Sequence, residues 1–152
     1  MKKPKKEEGK MVIVTSKEKK RSGKVKKVRE WAQKILKQLG LEKKELSILL
    51  VDDEEIQKLN FQYLGRPHPT NVIAFPMDGP NEHLLGDIVI STETAQREAE
   101  RANLPFEEYL ARLLIHGILH LLGYEDQTRS QCRKMRKKEE ELLRCLFFKP
   151  SS

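Results

Sequence analysis

The chain has 152 residues, of which 38% are hydrophobic and 35% charged, with a mean hydropathy of −0.66. That is enough for one domain with a buried core, and no apolar run reaches the roughly 18 residues of a membrane span. The formal charge of +7 is uneven: Met1 to Glu30 holds 13 Lys/Arg against 4 acids, a local +9, which leaves −2 for everything after it.

This distribution divides the chain into a basic, flexible leader over 1–10 and a single domain over 11–149. Basic patches attract phosphate backbones, although charge runs are commonly just solvated surface. A second basic cluster, Arg133, Lys134, Arg136, Lys137 and Lys138, stands beside Glu139, Glu140 and Glu141. It reads as a solvated helix face. Neither a secretory nor a lipidation signal is visible, and Cys132 and Cys145 are too far apart for a zinc-ligand pair. The expectation is a cytoplasmic protein whose two reduced thiols pack on a helix.

Met11 to Thr15 reads as a first strand. Val25, Val28, Trp31, Ala32, Ile35 and Leu39 then follow helical spacing up to Gly40. Ser47 to Val51 reads as a buried strand, followed by a helix capped by Asp52 or Asp53 with Ile56, Leu59 and Tyr63 on its apolar face. After the break at Gly65 to Pro69, Val72–Phe75 and Gly86–Ile90 are strand-like and suited to antiparallel pairing. Thr92 to Ala102 is helical. Pro105 opens a longer helix that is apolar nearly all round from Leu113 to Leu122, so it belongs at the centre of the domain. A last, charged helix runs from about Thr128 to Phe147.

The central helix carries His116-Gly-Ile-Leu-His120. Residues four apart share a helix face, so both imidazoles can turn to one point, where a divalent metal would satisfy and neutralise them together. The alternative is two core histidines bonded to backbone carbonyls. Gly117 stands where zinc proteases carry their glutamate base, which disfavours peptidase chemistry and leaves a metal hydrolase of a small or peptide substrate supported only by the histidine spacing. A glycine inside a helix costs about 1 kcal/mol, so close approach of substrate or backbone is expected there. Gly123 should end the helix and turn Tyr124, Glu125 and Asp126 back toward the histidines. Asp126 is the preferred third ligand, with Glu125 chemically possible, and Asp126 as N-cap of the last helix is the competing role.

From His116 to Tyr124 the chain resembles the YbeY family of bacterial endoribonucleases and ribosomal-RNA maturation factors, whose signature is His-Gly-x-Leu-His-Leu-x-Gly-Tyr-Asp-His. Leu59-Asn60, the run Pro69-Thr70-Asn71-Val72-Ile73-Ala74-Phe75, and Leu85-Gly86-Asp87-Ile88-Val89-Ile90-Ser91 resemble it further, in the family's order. The resemblance implies an α+β fold: a small mixed four-stranded sheet packed with about five helices, including a zincin-like metal-binding helix. It implies one Zn2+ ion on His116, His120 and Asp126, with ribosomal RNA and ribosomal proteins as partners of a monomer. The implied activity is single-strand-specific cleavage in 16S 3′-end processing and ribosome quality control. A non-catalytic RNA-binding factor with a structural metal is the rival.

Three positions depart from the family pattern. Asp126 replaces the third histidine, which lowers the charge of the site and should raise the pKa of bound water. Leu64 replaces an arginine thought to face substrate, and Arg66, two residues on, is either its substitute or a surface charge. Asn71 replaces an aspartate. His68 and His83 lie in polar, Pro-rich segments, and His68 is the better placed to approach the site.

Overall fold

The computed structural model describes residues 11–77 and 83–147. The basic leader, 78–82 and the last two positions expected in the domain lie outside the described residues. Four strands are present among the described residues: β1 (Val12–Ser16), β2 (Glu45–Val51), β3 (Val72–Pro76) and β4 (Leu84–Ser91). Five helices accompany them: α1 (Val25–Gln38), α2 (Asp53–Leu64), α3 (Thr92–Ala102), α4 (Phe106–Leu121) and α5 (Arg129–Phe147). The sheet order is β1-β2-β4-β3. β1, β2 and β4 run parallel, and β3 closes the edge antiparallel to β4, so the fold is α+β with a mixed sheet.

Strand alternation assigns the two faces. Val12, Val14, Leu46, Ile48, Leu50, Ile88 and Ile90 enter one core with Val28, Trp31 and Ile35 of α1 and Leu110, Leu114 and Ile118 of α4. Val51, Ile73 and Val89 point the other way and meet Ile56 of α2 in a smaller cluster. Tyr63, expected on that apolar face, is 60% exposed and reaches only the edge of Phe75, with ring centroids 5.4 Å apart.

α4 is buried along most of its length, from Leu110 to Leu119, as its all-round apolar sequence requires. It packs across β3 and β4 and against α1, α3 and α5. Two glycines let it lie so close. A Cβ on Gly117 would stand 3.1 Å from Ile88 Cγ2, so the close approach expected at this glycine is made by a β4 side chain. Gly86 has φ +145°, and a Cβ there would overlap the Phe75 carbonyl oxygen and lie 2.9 Å from Leu121 Cδ2.

Several local expectations change in detail. Asp52 occupies the N-cap position of α2, but its carboxylate accepts from the Lys19 amide at 2.9 Å, which ties α2 to the segment after β1. The Asp53 amide is taken by Glu93 Oε1 at 2.8 Å. Burial pushes the Asp53 carboxyl up, but hydrogen bonds from Ser91, Thr94 and Arg97 outweigh it and hold the group below its ordinary value. Cys145 is exposed rather than packed, and Cys132 is only half-buried. Among the described residues, no helix is long and apolar enough to cross a membrane.

Gly86→Ala should therefore destabilise the fold by about 3 kcal/mol or more, because overpacking and a forbidden φ act together. Urea unfolding monitored at Trp31 measures this.

Candidate metal centre

The C-terminal turns of α4 present His116 and His120 on one face, with their Nε2 atoms 2.9 Å apart. Asp126 Oδ2 lies 3.9 Å from His116 Nε2 and 3.8 Å from His120 Nε2. Donor atoms around a tetrahedral zinc at about 2.1 Å stand roughly 3.4 Å from one another, a spacing that the three observed distances bracket. The donor set of two imidazoles and a carboxylate suits a divalent transition metal. The group can therefore hold an ion with small side-chain adjustments.

Asp126 arrives there because both ends of its turn are fixed. Gly123, with φ +95°, reverses the chain after α4, where the Gly123 amide bonds to His120 O at 3.0 Å. At the other end Thr128 is the cap of α5. Its Oγ1 accepts from the Gln131 amide at 3.1 Å, and Gln131 Oε1 accepts from the Thr128 amide at 3.0 Å, a reciprocal capping box. The capping role weighed for Asp126 thus falls to Thr128. Glu125 is engaged elsewhere, accepting from Gln131 Nε2 at 3.2 Å.

A residue that the sequence reading placed on a solvated face joins the site. Glu139 of α5 puts Oε2 3.2 Å from His116 Nδ1, and both side chains are largely covered. A carboxylate only accepts, so Nδ1 carries the proton and Nε2 keeps its lone pair for a metal. No periodicity in the sequence could link two residues 23 apart on different helices.

His116, Gly117 and His120 form one wall of a cleft of about 350 Å³. The segment from α2 to β3 forms the other, with Asn60, Leu64, Arg66, Thr70 and Asn71 among its lining residues. Buried Asn60 shapes this wall by donating to the His68 carbonyl at 2.8 Å. Asn71 donates to Glu98 Oε1 at 3.0 Å, and the Tyr109 hydroxyl donates to the same atom at 2.8 Å. Burial and that carboxylate push Tyr109 up to about 12, so it remains a donor at neutral pH. Arg66 lines the cleft as expected, and half-exposed Leu64 lines it too. His68 is exposed, its ring 3.3 Å from the Pro69 carbonyl, and neither it nor His83 lines the cleft.

Residues 13–146 match the family described as Endoribonuclease YbeY. The chain belongs to the YbeY family. A protein named Endoribonuclease YbeY from Syntrophus aciditrophicus is 43% identical over 146 residues, covering 91% of each chain. The Endoribonuclease YbeY of Aquifex aeolicus is 41% identical over 128 residues, covering 82% of this chain and 85% of its own. The solution structure of TM1509 from Thermotoga maritima superposes with a TM-score of 0.67 at 26% identity, over 90% of this chain and 89% of that one. Membership and this superposition account for the mixed sheet with its surrounding helices. The aspartate at 126 sits in this YbeY chain within reach of both histidines.

Removing the Glu139 contact should loosen the ligand set without unfolding the helix. Glu139→Ala is expected to weaken zinc binding about 10- to 100-fold in chelator competition. Glu139→Gln, which keeps an acceptor oxygen, should recover part of the loss.

Proposed function

We propose that this chain is a metal-dependent endoribonuclease that holds one zinc ion on His116, His120 and Asp126 and cuts single-stranded segments of ribosomal RNA. Its cellular role would be 16S 3′-end maturation and ribosome quality control in the cytoplasm, as a monomer meeting ribosomal RNA and ribosomal proteins. The observation that carries this reading is the convergence of three metal-ligating side chains, two of which, His116 and His120, line a cleft that also contains Arg66.

The chain's residues divide the work by chemistry. Arg66 offers a planar set of donors suited to a phosphodiester and lines the cleft across from the histidines. Asn60 and Asn71 shape the same wall, with their amide groups donating to the His68 carbonyl and to Glu98. Leu64 adds an apolar contact. The cleft has the volume of a small-molecule pocket, which admits a nucleotide-sized segment and favours unpaired RNA over a duplex. Glu139 keeps His116 in the ligating tautomer. A bound zinc ion supplies Lewis acidity toward a phosphodiester oxygen and toward water.

His116→Ala should lose stoichiometric zinc and at least about a hundredfold in cleavage of single-stranded RNA. Elemental analysis and a gel assay read the two quantities, and a mutant that keeps both sinks the proposal. Arg66→Ala should retain zinc and lose about tenfold or more in cleavage.

One observation favours a second reading, a non-catalytic RNA-binding factor with a structural metal: half-exposed Leu64 lines the cleft where the resemblance implies an arginine. The double change Leu64→Arg with Asp126→His discriminates. A sharp gain in cleavage marks a weakened enzyme, and unchanged cleavage with intact RNA binding marks the factor.

A further inference from the structure

α5 carries seven Lys/Arg and three Glu, and in sequence the two signs stand side by side. The fold gives each acid a partner. Glu139 turns inward to His116, Glu140 is drawn to Arg112 of α4 at 3.3 Å, and Glu141 pairs with Lys138 at 3.2 Å. Arg129, Arg133, Lys134, Arg136, Lys137 and Arg144 are left exposed, and none of them makes an ion pair among the described residues. At 3.6 residues per turn all of these but Lys134 fall within an arc of about 100° and run some 22 Å along the helix, and Glu140, drawn to Arg112, is the one acid within that arc. The buried residues of α5, Met135, Leu142 and Leu143, lie outside that arc.

The placement is costly in two ways. Like charges repel along one helix face, and cations in the first turns oppose the preference of a helix N-terminus for negative charge. No acid occupies the first turn of α5 to relieve this. A polyanion lying along the face would relieve both. The stripe is also joined to the ligand set: it begins three residues after Asp126, on the helix that supplies Glu139.

We propose that the outer face of α5 is a second RNA-binding surface, which holds the phosphate backbone of the strand whose target bond lies in the cleft. This rests on the reading of the chain as an RNA-cleaving enzyme and adds where the flanking strand runs. Arg133, Arg136 and Lys137 form its centre. None of them belongs to the ligand set or lines the cleft.

The test uses the full, zinc-loaded chain with the combined changes Arg133→Gln, Arg136→Gln and Lys137→Gln. A control variant removes equal charge elsewhere, through Lys17→Gln, Lys20→Gln and Arg21→Gln between β1 and α1. Affinity for single-stranded RNAs of about 40 and about 8 nucleotides is read by fluorescence anisotropy across a salt series, in the cold, with the RNA checked intact on a gel. Each single-strand phosphate contact contributes about 0.7 to the slope of log affinity against log salt, so the α5 variant should lose about 2 from that slope with the long RNA. Its affinity for the long RNA at low salt should fall about tenfold or more, while binding of the short RNA changes little. An unchanged slope overturns the proposal, as does an equal loss in the control, which would reduce the effect to net charge. If the unaltered chain binds neither RNA, the reading of the cleft fails with it. Intact binding with an unmoved slope removes the α5 surface alone.

Discussion

The burial of α4 against β3 and β4 is the constraint from which the rest of the structure follows. This helix is the centre of the core and also the carrier of His116 and His120, so the fold and the site cannot vary independently. A fully buried Leu or Ile contributes on the order of 1.5–3 kcal/mol, and Leu110, Leu114, Ile115, Ile118 and Leu119 are all buried on this one element. The two imidazoles lie on the remaining, half-covered face of its final turns, which is the face toward the cleft. Their positions are thus set by apolar packing on the other sides of the same helix. That is the kind of rigid support a ligand set needs before any ion arrives.

The glycines make this arrangement possible at close range. Gly117 allows α4 to settle onto Ile88, and Gly86 allows the edge pair of β3 and β4 to pass under Leu121, one residue beyond His120. A side chain at Gly86 would meet the Phe75 carbonyl and Leu121, and one at Gly117 would require Ile88 to give way by a few tenths of an ångström. The opposite wall is held by Asn60 and by Asn71, whose partner Glu98 also binds Tyr109 near the start of α4, so the two walls of the cleft are tied at the N-terminal end of that helix.

Much of the fold was legible in the sequence because its signals are local. The alternation in β2, the apolar run of α4, and the stops at Gly40 and Gly123 each report on a few neighbouring residues. The histidine pair was legible for the same reason, since helical spacing alone brings positions 116 and 120 together. Asp126 stayed ambiguous because a carboxylate just before a helix can cap it or ligate, and only Thr128 and Gln131 completing the capping box settles which residue caps. Glu139 was misread because its partner lies on another helix, and its neighbours made it look like one more surface charge. Asp52 was misread similarly: the cap position is real, but its carboxylate serves a backbone amide 33 residues away.

The charge of the site gives the basic surface a reason beyond solubility. A divalent ion on two neutral imidazoles and one carboxylate would carry a net +1, where three imidazoles would leave +2. The contact from Glu139 to His116 brings a second negative charge to the edge of the ligand set and takes the local sum to zero. Such a centre polarises a bound group at contact distance but exerts little long-range pull on a polyanion. Attraction must come from cations outside the ligand set. The structure supplies them in two places, Arg66 within the cleft and the unpaired row along α5. Their separation from the ligands matters, because an arginine against His116 would disfavour the protonated Nδ1 and compete for Glu139. On α5, Glu139 faces His116 while the unpaired bases face solvent, so one helix carries both the carboxylate beside the ligand set and the cations that the proposed RNA contact would use.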